Sequence, residues 1–134
     1  MELLDKIRAA KRVYIIGNGG SYANAQHIAN DLLACAIKAY TLDAATLTAT
    51  ANDCGYEKIY SQWLRVVGER GDLLIALSGS GTSKNILNAI AEAERIGMDV
   101  HREFGSRHGY GMQDAEEYQL HLGHELMRGL RAGR

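Results

Sequence analysis

Short apolar runs alternate along this chain with longer segments in which apolar residues recur every three or four positions. The runs predict strands at residues 12–16, 38–42, 72–77 and 98–104. The longer segments predict helices at residues 21–37, 55–67, 83–96 and 114–130. Residues 43–50 are polar and rich in threonine, which is typical of a turn or a short helix. In the helix over 55–67, the spacing places Ile59, Trp63, Val66 and Val67 on one packed face.

The predicted strands and helices alternate along the chain. Neighbouring parallel strands need a crossover connection, and that connection is usually a helix. We therefore predict an α/β fold, a three-layer αβα sandwich with a parallel sheet of four to five strands, formed by residues 1–134 as a single domain. Ligands of such sheets bind beyond the carboxyl ends of the strands.

Two loops rich in glycine and serine follow predicted strands, GNGGS at 17–21 and SGSGTS at 78–83. Glycine lets the backbone approach an anion, and the amides and positive end of the following helix attract it. Serine and threonine hydroxyls can donate further hydrogen bonds. Glycine and serine are also ordinary turn and cap residues, and Ser21 is expected to cap the first of these helices. The presence of two such loops favours phosphate binding over simple turn chemistry.

Nucleotide binding fits these loops less well. Neither contains the Gly-Lys-Ser/Thr sequence of a Walker loop. A dinucleotide fingerprint starting at Gly17 would place Tyr22 where its third glycine belongs, although Asp43 could serve as the ribose-binding acid. The dinucleotide alternative stays open, but no nucleotide cofactor is expected.

Composition and charge argue against several classes of protein: nucleic-acid-binding, secreted and membrane proteins. A formal charge of -1 over 134 residues gives no basic field, so direct nucleic-acid binding is not expected. Cys35 and Cys54 form no CxxC pair and are interpreted as buried thiols of a reducing compartment. The first ten residues are too charged for a signal peptide, and no apolar run approaches the roughly 20 residues of a membrane span. A cytoplasmic location without membrane attachment is expected.

Three segments together resemble one known family: IIGNGGSYANAQHIANDL, ATANDCGYEKIYSQWL and LLIALSGSGTSKNILNAI. They are similar to the sugar isomerase (SIS) domains, above all to the phosphoheptose isomerases, which interconvert sedoheptulose 7-phosphate and a heptose 7-phosphate. The resemblance runs through about residues 12–100, and 116–130 look like the closing helix of that family. It implies a flavodoxin-like sheet, an aldose–ketose isomerase acting on a phosphorylated sugar, and a homodimer or homotetramer with pockets near subunit interfaces.

The resemblance also implies site residues. The residues expected to bind substrate are Asn18, Gly19, Gly20, Ser21, Asn52, Asp53, Ser78, Ser80, Thr82 and Ser83. The residues expected to bind a divalent metal, commonly zinc in that family, are His27, Asp31, Glu116 and His124. Among these, Asp31 and His124 are the expected base and acid. His27 and Asp31 are four residues apart, so they share one helix face.

The chain departs from the family pattern at three places. Asp31 and Glu116 replace a glutamate and a glutamine, and the segment after Val100 is shorter than usual. SIS domains also occur as phosphosugar sensors, and one relative assists the bacterial replication initiator. Those proteins keep the serine loop, so a non-catalytic binding module is the alternative. A pure sensor does not need paired acid–base groups, so the presence of His27, Asp31, Glu116 and His124, although altered at two positions, favours the isomerase.

Overall fold

The computed structural model describes residues 2–105, 109 and 111–132, and its centre is a parallel sheet. The strands are β1 (Val13–Ile16), β2 (Ala39–Tyr40), β3 (Leu73–Ser78) and β4 (Asp99–Phe104). They pair in the order β2-β1-β3-β4, and every pair is parallel. The predicted α/β class and all four predicted strands are confirmed. Within the described residues the sheet has the smaller of the two expected strand numbers.

Six helices connect and cover these strands in the described part of the chain. They are α1 (Glu2–Ala9), α2 (Gly20–Ala34), α3 (Ala44–Cys54), α4 (Ile59–Val67), α5 (Lys84–Ile96) and α6 (Met112–Ala132). The polar stretch after β2 is a full helix, α3, capped by Asp43, whose carboxylate accepts from the Thr46 amide at 2.9 Å. The helix predicted over 55–67 is divided into a 3₁₀ turn (Tyr56–Lys58) and α4.

Alternating side chains of the sheet enter two separate cores. Val13 and Ile15 of β1 face the core that α1, α2 and α6 complete. Tyr14 and Ile16 face the core beneath α4 and α5. A strand buried on both faces needs apolar residues at every position, which explains why β1 and β3 read as continuous apolar runs. Helices on both sides of the sheet give the three-layer sandwich.

Three predictions about individual residues are wrong. Val66 is 83% exposed, because the buried positions of α4 are Ile59, Tyr60 and Leu64, and Val66 lies beyond the edge of that face. Cys54 is exposed at the end of α3, whereas Cys35 is buried as predicted. Ser21 does not cap α2; the capping position is Gly19, with a φ of 56° that favours glycine. Among the described residues, no helix is both long and apolar enough to cross a bilayer.

A buried carboxylate joins α4 to α5. Glu92 accepts from Arg95 at 2.8 Å and from Arg65 at 3.1 Å. These arginines lower the pKa of Glu92 to about 2, with the Arg95 hydrogen bonds as the largest cause. Because the folded pKa lies below the unfolded one, this carboxylate contributes its full stability above about pH 4.5 and loses it as the pH falls toward 2.

We expect Glu92→Gln to lower the free energy of unfolding by about 1–2 kcal/mol at pH 7, since a neutral amide cannot replace charge-assisted hydrogen bonds. The deficit should shrink at pH 3 and vanish only below about pH 2. Urea unfolding at several pH values measures it, with exposed Glu94→Gln as the matched control. A deficit independent of pH would contradict this origin.

Candidate functional site

The two glycine–serine loops lie side by side, because they follow the neighbouring strands β1 and β3 at the carboxyl edge of the sheet. Between them is a cavity of about 50 Å³. Its lining combines residues of both loops with the first residue of α6: Asn18, Ser21, Leu77, Ser78, Gly79, Ser80, Ser83 and Met112. Five of the expected substrate residues therefore line one cavity. Thr82 and Gly19 are exposed neighbours outside this lining.

The hydroxyls of the second loop are held in place by its own backbone. The amide of Gly81 donates to Ser78 Oγ at 2.9 Å, and that of Thr82 donates to Ser80 Oγ at 3.2 Å. The two hydroxyl oxygens are 3.5 Å apart. An oxygen that already accepts an N–H bond still has its own proton to donate. The loop can therefore present hydroxyl donors to an anion.

A network of amides and phenols holds the first loop against α5. Asn18 and Asn85 exchange two hydrogen bonds, each 2.8 Å long. Tyr56 also donates to Asn18 Oδ1 at 2.9 Å. The hydroxyl of buried Tyr60 donates to the Gly17 carbonyl, and burial raises the pKa of that phenol. These bonds fix the position of Asn18. Its neighbours Asn85, Tyr56 and Tyr60 were not among the predicted site residues.

Two histidines and an aspartate meet where α2 packs on α6. The Nε2 atoms of His27 and His124 are 3.1 Å apart, and Asp31 Oδ2 is 3.5 Å from His27 Nε2. All three ligand atoms lie within 4.8 Å of one another. Asp31 is only 6% exposed, and its Oδ2 has no hydrogen-bond partner among the described residues. Two imidazole nitrogens and a buried carboxylate oxygen without a hydrogen-bond partner fit a divalent cation.

Glu116, the fourth expected metal ligand, is not part of this group. Its carboxylate lies against the first loop, so close that a Cβ atom on Gly20 would be 2.2 Å from Oε2. The structure thus brings together three of the four predicted ligands, and it turns the fourth toward the glycine loop.

Asn52 and Asp53 lie in the last turn of α3, where both are exposed. The Asn52 amide donates to the Asp53 carboxylate at 3.0 Å. Neither residue lines the cavity beside the serine loop. Their predicted contact with substrate stays a prediction.

The α2–α6 contact that carries the histidines is both close and polar. A Cβ atom on Gly123 would lie 2.8 Å from Ile28 Cγ1, so glycine permits the approach of the two helices. Gln119, 1% exposed, accepts from Asn24 at 3.0 Å and donates to Ser21 at 3.1 Å. The sequence signal for Gln119 was a polar residue in register with the buried positions Ala115 and Leu122.

Known proteins are similar to this chain in sequence and in fold. The model of the SIS domain matches residues 2–101. A phosphoheptose isomerase of Paramagnetospirillum magneticum is 40% identical over 114 residues, which are 79% of this chain and 59% of that protein. One from Akkermansia muciniphila is 39% identical over 122 residues, 85% of this chain and 64% of that protein. This chain therefore spans less than two thirds of the length of these relatives.

A solved phosphoheptose isomerase from Neisseria gonorrhoeae superimposes with a TM-score of 0.86 at 26% identity. The match covers 97% of this chain and 81% of that one. The comparison of sequences and the comparison of structures therefore point to the same family. The chain belongs to the SIS domain family.

Proposed function

We propose that this protein is an aldose–ketose isomerase of phosphorylated sugars, with sedoheptulose 7-phosphate as its substrate. One observation carries the proposal: helix α2 contributes Ser21 to a cavity lined by hydroxyls, and it contributes His27 and Asp31 to the group that His124 of α6 completes. Ser21 lies in the first turn of α2 beside the cavity, and His27 follows six residues later, about 9 Å along the helix axis. A sugar phosphate held by its phosphate can reach the histidines with its other end. The names of the relatives support the same substrate class.

The group on α2 and α6 supplies the acid–base chemistry in this proposal. Once the sugar ring has opened, the Asp31 carboxylate removes a proton from the carbon beside the carbonyl, and an enediol forms. His124 delivers a proton to the carbonyl oxygen and then takes the proton of the neighbouring hydroxyl as the new carbonyl forms, while the proton held by Asp31 moves to the former carbonyl carbon. The two bonds made to hydrogen balance the two broken. Asp31 carries a shorter side chain than the family's glutamate, but its Oδ2 has no competing partner in the described residues.

His27, Asp31 and His124 would hold a divalent cation, for which we propose zinc. Imidazole and carboxylate together suit this ion. When bound, the cation would polarise the substrate's carbonyl and hydroxyl oxygens and so make the adjacent proton more acidic.

The serine loop contributes binding and orientation to the reaction. Its hydroxyls hold the phosphate at the far end from the reacting carbons, so the binding energy positions the substrate over Asp31. Serine loops of this kind would also serve a sensor. The acid–base group is the feature that a sensor does not need.

We also propose that the protein acts as a homodimer or homotetramer. In the single chain, 43% of the His27 side chain is exposed, and Leu33 and Leu120 on the same two helices are 52% and 36% exposed. A second copy over this face would bury the apolar side chains and exclude water from the histidines. Sedimentation velocity tests this association, and a monomer at micromolar concentration would contradict it.

Incubation with sedoheptulose 7-phosphate in deuterated water tests the activity. We expect deuterium at the carbon that loses its proton, detected by NMR, together with the aldose product. Unphosphorylated sedoheptulose is the control and should exchange far more slowly, because the serine loop cannot hold it. Saturable binding of the phosphorylated sugar without exchange would contradict the isomerase and favour a sensor.

A further inference from the structure

The network around Gln119 fixes the direction of three hydrogen bonds. The backbone carbonyl of Glu116 can only accept, so the atom of Asn24 that contacts it at 2.8 Å is the amide nitrogen. The same nitrogen contacts Gln119 at 3.0 Å, which identifies that Gln119 atom as the oxygen, Oε1. The Gln119 nitrogen therefore faces Ser21 Oγ at 3.1 Å and donates to it. No other orientation of the two amides satisfies all three contacts.

Because Gln119 donates to Ser21 Oγ, the proton of the Ser21 hydroxyl is left for another acceptor. Ser21 Oγ accepts a hydrogen bond from Gln119, and among the described residues its own hydroxyl donates to none. Ser21 lines the cavity of about 50 Å³ together with Ser78, Ser80 and Ser83. Its proton is free to be donated into that cavity. An anion in the cavity would therefore accept from a fourth hydroxyl, that of Ser21. Gln119 of α6 sets the direction in which this hydroxyl donates.

We propose that Gln119 is a positioning residue that orients the Ser21 hydroxyl as a donor to the phosphate group. The inference rests on the proposed function only in assigning a phosphate to the cavity. It links the two parts of the site, because Gln119 lies on α6 five residues before His124, while Ser21 lies in the first turn of the helix that carries His27. Gln119 is 1% exposed, so solvent cannot replace its amide.

The Gln119→Glu variant reverses the hydrogen bond while it preserves the shape of the side chain. A carboxylate can only accept, so the Ser21 hydroxyl would donate to the introduced carboxylate and turn away from the cavity. We expect the affinity for inorganic phosphate to fall about 30-fold, the scale of a lost hydrogen bond to a charged group together with a nearby negative charge. Gln113→Glu, on the exposed first turn of the same helix, adds the same charge and should change the affinity less than about twofold.

A double-mutant cycle separates orientation from charge. In a Ser21→Ala background there is no hydroxyl to turn, so Gln119→Glu should weaken phosphate binding much less than in the original chain. Gln119→Met, which lacks both polar groups, is the second variant if Gln119→Glu does not fold. It should weaken binding about threefold to tenfold because the hydroxyl is then free to rotate. Circular dichroism and Co²⁺ affinity monitor the fold and the histidine group independently of turnover.

These measurements distinguish a failure of the role proposed for Gln119 from a failure of the proposed function. If the original chain binds phosphate and Gln119→Glu binds it equally tightly, the role of Gln119 is wrong and the proposed function stands. Equal effects of Gln119→Glu with and without the Ser21 hydroxyl would also overturn it, since the variant would then act through its charge. If the original chain binds neither phosphate nor sugar phosphate, the proposed function fails as well.

Discussion

Asp31→Asn is expected to lower isomerase turnover by about 10²–10⁴-fold, the range of a positioned general base. An amide cannot accept the carbon-bound proton, although it has nearly the same shape. The same substitution should leave the fold intact or stabilise it by about 1 kcal/mol. Asp31 is buried with an unpartnered oxygen, and an asparagine amide at this place can donate to His27 Nε2, 3.5 Å away. Steady-state kinetics and thermal unfolding measure the two effects.

Loss of activity together with a gain in stability distinguishes a catalytic carboxylate from a structural one. Asp114→Asn, an exposed acid in the first turn of α6, is the control and should change neither quantity appreciably. Phosphate affinity should be unchanged in Asp31→Asn, because the serine loop lies at the other end of the substrate. A turnover within threefold of the original enzyme would contradict the assignment of Asp31 as the base.

The sheet could be predicted from sequence because its information is local. Each strand is a short apolar run, and β1 and β3 end directly in glycine–serine loops. Helix ends were less predictable. α2 was expected to reach residue 37 but ends at Ala34, because Ala36 adopts a left-handed φ of 64°. That conformation normally requires glycine, so no residue type announces it. Two backbone hydrogen bonds hold this turn, from the Ala36 amide to the Leu33 carbonyl and from the Ile37 amide to the Leu32 carbonyl, each at 3.0 Å.

In the candidate site, too, the local patterns could be predicted and the contacts between distant segments could not. The loops and the i, i+4 pair of His27 and Asp31 are local patterns, and they were predicted. The partners of these residues come from far along the chain: Asn85 is 67 positions from Asn18, and Gln119 is 98 positions from Ser21. Only the packing of α5 and α6 brings them together. A buried amide in an otherwise apolar helix face is the one sequence signal for both.

The position of Glu116 illustrates the limit of family resemblance. The resemblance placed it with the histidines, whereas its carboxylate lies against Gly20. The first residue of α6, Met112, lies beside the serine loop. It lines the cavity of about 50 Å³, and its sulfur would be 2.3 Å from a Cβ on Gly79. These contacts between α6 and the two loops depend on how the last helix packs, which no motif in the sequence specifies.

Removal of both hydroxyls in Ser80→Ala/Ser83→Ala should weaken binding of inorganic phosphate and of phosphorylated sugars about 100-fold or more. Each hydroxyl that donates to a charged group contributes about 1.5–3 kcal/mol, and both side chains line the small cavity. Ser80 Oγ also accepts from the Thr82 amide at 3.2 Å, so its loss frees a donor that offsets part of the effect. Isothermal titration with phosphate, ribose 5-phosphate and sedoheptulose 7-phosphate measures the change.

The loss should be similar for all three ligands, because the loop contacts only the group that they share. Thr48→Ala/Ser61→Ala removes two hydroxyls that bind helix carbonyls outside this cavity, and it serves as the matched control. The hydrogen–deuterium exchange of bound substrate should persist once the substrate concentration is raised to saturate the variant, since Asp31 and His124 are untouched. Unchanged affinity for phosphate would remove the anion site from this loop. A loss confined to one sugar would instead place the serines beside the carbon chain.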